Sequence, residues 1–273
     1  MKYSRLGSTL IALFLLTSAI AYAEIVVAPP DATTAETVRI TVSGEFGKPC
    51  FEIESFSAVV ENTVAIHVTI TPEPVLCAAV ITPWSVTEEI GRLPAGEYQV
   101  TATIDAPCCF PCNPPPCTEQ ASFSIAQFLA VDIRPGSCPN PISTASRGVL
   151  PVAVLGSVEF DVTQIDATTV RLAGVPPVRS GYDDVGFPME PVDGIDDCDL
   201  GCAGQGVDGW VDLTLKFDSQ QVLRALGAVE GGECRSLTLT GELQEAFGGT
   251  SITGEDAVLI LEPRGHRARR NPR

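Results

Sequence analysis

The chain has 273 residues, with 34 acidic side chains against 17 lysines and arginines, and a formal charge of −17 at pH 7. A body this acidic repels polyanions, so charge argues against nucleic acid and anionic membrane as partners. Its 45% hydrophobic content suffices for packed cores, and its ten cysteines require a chemical account.

The N-terminus reads as an export leader. Lys2 and Arg5 form a short positive region, Leu10 to Ile20 an apolar stretch, and Ala21-Tyr22-Ala23 a small-x-small cleavage site. The expected mature chain starts at Glu24. The apolar stretch is too short for a stable membrane span, and no later stretch is long enough. No cysteine stands at the cleavage site, so no lipid anchor is expected there. The expected location is secreted or periplasmic, and in that compartment cysteines pair. All ten follow the leader: Cys50, Cys77, Cys108, Cys109, Cys112, Cys117, Cys138, Cys198, Cys202 and Cys234. Their pairing is not legible from spacing.

About 250 mature residues allow two domains, and period-two alternation predicts an all-β chain of two β-sandwiches. The first is expected over residues 24–127. Val38 to Val42 alternates, as do Val64 to Ile70 with Val64, Ile66, Val68 and Ile70 on one face. Tyr98, Val100, Ala102 and Ile104 form another inward set, and Ala121 to Ile125 closes the sheet. About seven short strands in about 100 residues suit a sandwich. Leu93-Pro94-Ala95-Gly96-Glu97-Tyr98 resembles the last hairpin of bacterial Ig-like domains, with Tyr98 at the tyrosine corner. That resemblance implies an Ig-like fold and no function. Val100 stands where the cysteine of such domains is expected, so Cys50 and Cys77 are candidates for a different bridge.

Between the last two strands lies Cys108-Cys109-Phe110-Pro111-Cys112-Asn113-Pro114-Pro115-Pro116-Cys117. Four cysteines and four prolines make a stiff loop suited to presenting contacts. Cys109-x-x-Cys112 also has metal-ligand spacing, but an oxidising compartment favours structural disulfides.

The second sandwich is expected over 128–263. It opens with Val131-Asp132-Ile133-Arg134-Pro135-Gly136-Ser137-Cys138, followed by a buried strand in Gly148 to Gly156. Phe160 to Asp166, Thr169 to Leu172, Trp210 to Phe217, Leu237 to Gly241 and Ala257 to Leu261 follow. Ser219 to Leu226 is the one predicted helix, with Ser219 as cap and Gly227 as stop. These stretches, with Gly254-Glu255-Asp256, resemble a module that recurs near the C-terminus of secreted bacterial and archaeal proteins. The resemblance spans nearly all of 131–261 and implies an extracellular accessory β-module with no assigned activity and no catalytic residues.

Within it, Asp183 and Asp184 precede Asp193-Gly194-Ile195-Asp196-Asp197-Cys198-Asp199-Leu200-Gly201-Cys202, and then Asp208-Gly209-Trp210-Val211-Asp212. The central run resembles the aspartate-rich repeats of thrombospondin type 3. Calcium takes six to eight oxygens from carboxylates and turning backbone, so Asp193, Asp196, Asp197, Asp199, Asp208 and Asp212 are candidate calcium ligands. Crowded carboxylates repel one another until a cation arrives. Cys198 and Cys202 could clip this loop. The helix-loop-helix calcium pattern is absent, having no Glu at its twelfth position, and the plain alternative is a solvated acidic turn.

No catalytic centre is legible; a secreted hydrolase working through paired carboxylates is the lesser alternative, with no candidate pair in the sequence. His67 falls on the polar face of a strand and His266 in the tail, neither with a local Ser or Cys partner. Two non-enzymatic readings remain: a calcium-stabilised surface or matrix accessory protein, or a carbohydrate-binding or adhesive module with a polysaccharide partner. For the latter, Trp210 is expected to face outward and Trp84 to lie in a turn. The last ten residues hold five arginines and no acid, and read as a disordered end. Removing the two leader cations takes −17 to −19, and removing the five tail arginines leaves −24 for residues 24–263.

Overall fold

A computed structural model describes residues 23–47, 49–78, 80–106, 116–187, 198 and 204–262. The expected leader, apart from Ala23, and the basic tail lie outside them. So do Cys108, Cys109 and Cys112 of the cysteine–proline loop.

The described chain is almost entirely β. Its N-terminal half contributes β1 (Ala23–Ala28), β2 (Val38–Phe46), β3 (Phe51–Val60), β4 (Thr63–Pro72), β5 (Thr82–Gly91), β6 (Gly96–Asp105) and β7 (Cys117–Ile125). They form two sheets, β1-β2-β5 and β3-β4-β6-β7. The predicted inward sets are buried: Val38, Ile40 and Val42 from one sheet, and Val64, Ile66, Val68, Ile70, Val100, Ala102 and Ile104 from the other. Alternation puts each set on one side of its strand, and each buried Val or Ile is worth roughly 1.5–3 kcal/mol. The Tyr98 hydroxyl donates to the Pro94 carbonyl oxygen at 3.0 Å, which is the tyrosine-corner bond. One pairing departs from the all-antiparallel sheets of Ig domains: β4 runs parallel to β6, with Val64 opposite Val100.

Trp84 corrects an expectation. It lies within β5, 7% exposed, rather than in a turn. Gly44 stands opposite it, and a Cβ there would come within 3.0 Å of the indole. The glycine therefore makes the space in which the ring packs.

The C-terminal half contributes β8 (Gln127–Phe128), β9 (Val131–Ile133), β10 (Pro141–Ser143), β11 (Val149–Val154), β12 (Ile165–Leu172), β13 (Arg179–Asp183), β14 (Gly186–Phe187), β15 (Gly204–Gln205), β16 (Asp212–Asp218), β17 (Cys234–Leu243) and β18 (Ser251–Leu261). One sheet runs β10-β18-β17-β12 with β8 against β18, and the other runs β13-β16-β11-β9. Between them lies a second apolar core that includes Ile133, Val152, Leu172, Leu215, Phe217, Leu239 and Ile260. Among the described residues the single α-helix, α1 (Ser219–Leu226), follows β16. Its cap is Asp218, not Ser219: the Asp218 side chain accepts from Gln221 N, and Ser219 is already the first helical residue. Gly227 ends the helix at φ 76°, a left-handed value that suits glycine.

The segment between the cores is held on both sides. Ala126 bridges Thr33, β8 pairs with β18, and Leu129 N donates to Thr253 O at 2.8 Å. A cleft of about 700 Å³ opens beside it, lined by hydroxyls of Thr169, Thr240 and Thr253 and carboxylates of Asp31, Glu36 and Glu242.

Candidate functional site

Asp193, Asp196, Asp197, Asp199 and Cys202 lie outside the described residues, so the candidate calcium loop is seen through its flanks. On one flank Asp184 accepts from Asp208 N (3.1 Å) and Gly209 N (2.8 Å), while Asp208 accepts from Trp210 N (2.9 Å). These carboxylates tie down a turn, the ordinary use of aspartate beside glycine. The other flank is a correction. Cys198 does not close a short loop with Cys202; it is bonded to Cys234 at the start of β17. Cys198 is buried there against Ala257, with Leu259 alongside. The bond ties Cys198 to the β17–β18 pair, because a disulfide joins positions near in space whatever their sequence spacing.

Asp212 is wholly buried. Its Oδ1 accepts from Gly156 N at 2.9 Å, and its Oδ2 from Val185 N and Gly186 N at 2.8 and 3.2 Å. Burial raises its pKa above the usual carboxylate value, those three amides pull the other way, and the Asp208 charge adds to the rise. Asp212 thus braces the entry to the acidic segment rather than standing open beside Asp208. Among the described residues no three Asp, Glu, His or Cys side chains converge to hold a metal.

Two further acids are buried nearby that sequence reading did not single out as site residues. Asp132 in β9 is 3% exposed and Asp256 in β18 is 1% exposed. Asp256 accepts from Ile133 N at 2.6 Å, Asn140 Nδ2 at 2.9 Å and Ala257 N at 2.7 Å. Burial pushes Asp256 up to about 7, against the pull of the Ile133 and Ala257 amides and with a further push from Asp132. Asp132 rises to about 6, from burial first and then the Asp212 charge. The available signal was one aspartate flanked by Val131 and Ile133 in an otherwise apolar stretch.

Cys50 is bonded to Cys77, joining the start of β3 to the loop after β4. Cys117 and Cys138 are disulfide-bonded as well, so every cysteine among the described residues is oxidised. His67 is half-buried, with its ring 5.1 Å from that of Phe56 on the neighbouring strand. Trp210 is 45% exposed, as expected, and edges an open cleft of about 390 Å³ shared with Glu159, Phe160, Asp161 and Gln164. No helix among the described residues is long and apolar enough to cross a membrane.

No curated protein matches the chain. Residues 40–102, from within β2 to within β6, match the family model of the ORF11 beta-sandwich domain, so this stretch of the first sandwich is similar to that domain.

Proposed function

We propose that this is an exported, non-catalytic accessory protein of a cell surface or matrix, whose second sandwich is stabilised by calcium at its acidic segment. The observation that carries the reading is covalent. All six described cysteines are disulfide-bonded, which suits an oxidising compartment. One of those bonds, Cys198–Cys234, ties the cysteine that stands within the aspartate-rich sequence to the start of β17. Four aspartates within the seven residues 193–199 supply the kind of oxygen ligands a hard cation takes. The Tyr98–Pro94 bond supports kinship of the first sandwich with Ig-like hairpins, while the parallel β4–β6 pair limits that kinship to the hairpin.

Melting curves with chelator and with millimolar calcium test the reading. Extracellular sites bind at about 10⁻⁴–10⁻³ M, and a tenfold excess over the dissociation constant adds roughly 1.4 kcal/mol. The expected result is a rise of a few degrees that Asp196→Ala or Asp208→Ala abolishes. An unchanged melting temperature returns the segment to an ordinary acidic turn.

The carbohydrate-binding reading keeps one supporting observation. Trp210 offers a half-exposed ring beside the polar groups of Asp161 and Gln164, an arrangement suited to stacking a sugar. Trp84 is buried and drops out of that reading. A glycan-binding screen in which the wild type binds nothing removes it; binding lost in Trp210→Ala supports it.

A further inference from the structure

The cleft beside Trp210 and the larger one beside β8 are both lined by carboxylates: Glu159 and Asp161 in the first, Asp31, Glu36 and Glu242 in the second. A third pocket, of about 290 Å³, is not. It lies where the turn after β9, strand β10, the start of β11 and the start of α1 meet. Its polar lining is Arg134, Ser143, Ser146 and Ser219, over apolar side chains that include Ile142 and Leu150, and no Asp or Glu is among its lining residues. The chain has 34 acids against 17 lysines and arginines, so a pocket with a cation and no carboxylate runs against its composition.

Arg134 is half-buried and supplies that charge. Its Nη1 donates to Pro141 O, which leaves the rest of the donor fork uncommitted. The ion pairs among the described residues are Arg39–Glu89 and Arg235–Glu233, so no described acid pairs with Arg134. Asp218, next to Ser219 in sequence, accepts from Gln221 N and does not line the pocket. The guanidinium fork matches the geometry of an oxyanion, which it holds through parallel N–H donors.

A second, independent observation is Ser219. It is 1% exposed, yet its hydroxyl has no hydrogen bond with a described residue. The described side-chain atoms sealed without a partner are Trp84 Nε1 and Asn140 Oδ1, so Ser219 Oγ keeps its small exposure on the pocket that it lines. Buried hydroxyls find partners as a rule, and this one is left to donate to whatever fills the pocket. The Ser146 hydroxyl is likewise uncommitted, and Ser143 Oγ, which accepts from Ala145 N at 3.3 Å, still has its proton to give.

The walls are fixed in advance. Arg134 N donates to Pro151 O at 2.8 Å and Ser219 N to Gly148 O at 3.1 Å. Gln220 Nε2 donates to Thr144 O at 3.3 Å and to Ser146 O. These bonds tie the end of β9, the β10–β11 loop and the helix start together, so a ligand need not order the pocket.

We propose that this pocket binds a small oxyanion of the sulfate or carboxylate kind, with Arg134 holding its charge and Ser219, Ser146 and Ser143 donating to its oxygens. The proposal goes beyond the calcium reading and does not rest on it. Exposed acids further off than a Debye length, about 8 Å at physiological salt, are largely screened. A small anion therefore meets the pocket, where a polyanion would meet the whole acidic body. The apolar lining suits an anionic group carried on a sugar ring as well as a free ion.

The test is an NMR titration of the protein at pH 7 and constant ionic strength with sodium sulfate and, separately, with sodium glucuronate. The expected result is saturable shifts of the Arg134, Ser146 and Ser219 amides, with a dissociation constant on the order of 1 mM. Arg134→Gln is expected to weaken binding about tenfold and Ser219→Ala about threefold. Arg224→Gln, which removes the same charge from the last turn of α1, is expected to leave it unchanged. Tighter saturation by sulfate identifies a free oxyanion, and tighter saturation by glucuronate the acid group of a sugar; either supports the proposal. Shifts that stay linear with both anions overturn it, as does an affinity that Arg134→Gln preserves or that Arg224→Gln lowers equally. Should Arg134→Gln fail to fold, Ser146→Asp decides in its place. A carboxylate built into the pocket occupies Arg134 and abolishes binding, and binding that survives it overturns the proposal.

Discussion

Asp132 occupies the middle of a three-residue strand in which every residue is buried, and its charge must be neutralised or carried at a cost. The direction of that cost in pH follows from the shifts. Asp132 and Asp256 hold their protons up to about 6 and about 7, whereas the unfolded chain releases them near the ordinary aspartate value. The folded state therefore carries more protons across that interval, and stability falls as pH rises through it. The contribution is fully present below the unfolded value and is lost by about pH 7. Asp161 and Asp166 act in the opposite direction, their carboxyls lowered by hydrogen bonds from Thr163 and Thr168, but only in the acid range below that interval. In chelator, the urea midpoint is thus expected to decline between pH 5 and pH 8, and to decline less in Asp132→Asn. A midpoint that rises over this range would contradict the burial of these acids.

Strands and the helix show how local pattern and packing divide the work. Val64 to Ile70 and Tyr98 to Ile104 were legible because one face of each strand is buried, which makes the period of two visible in sequence. Trp84 was misread because Pro83 suggests a turn, while the space opposite Gly44 decides the matter. The helix and its stop at Gly227 were legible, but its cap was not. Ser219 and Asp218 are both good caps, and the choice depends on which backbone turns first. The structure assigns Asp218, whose carboxylate accepts from Gln221 N at 2.9 Å. Asp218→Ala is expected to cost about 1 kcal/mol in chemical denaturation, and Asp218→Asn, which keeps an acceptor, only a few tenths. Equal losses in the two variants would show that the bond is not what Asp218 contributes.

Over the whole molecule, stability rests on two apolar cores and on cross-links that tie loops to them. Cys198 and Cys234 are 36 residues apart in sequence. Closing a loop of that size restricts the unfolded chain by about 3–4 kcal/mol on the chain-entropy estimate. Replacing both cysteines by serine is expected to lower the unfolding free energy by that order and, on the proposed calcium reading, to shrink the melting-temperature gain from calcium. A double variant with undiminished stability would mean that the bridge merely records a proximity the fold already enforces.

Some properties of this protein were determined by sequence alone, because they depend on composition and on short-range period: a β-rich chain, a sandwich fold, the inward faces of its strands, the place of the helix after β16 and the exposure of Trp210. Tertiary structure alone decided the rest, because it depends on residues far apart in the chain. It paired Cys198 with Cys234 instead of with its neighbour, ran β4 parallel to β6, and packed Trp84 over Gly44. It also brought Asp132 and Asp212 from two strands to one covered face. Local pattern records which way a side chain points from its own strand, and not which distant strand will lie against it.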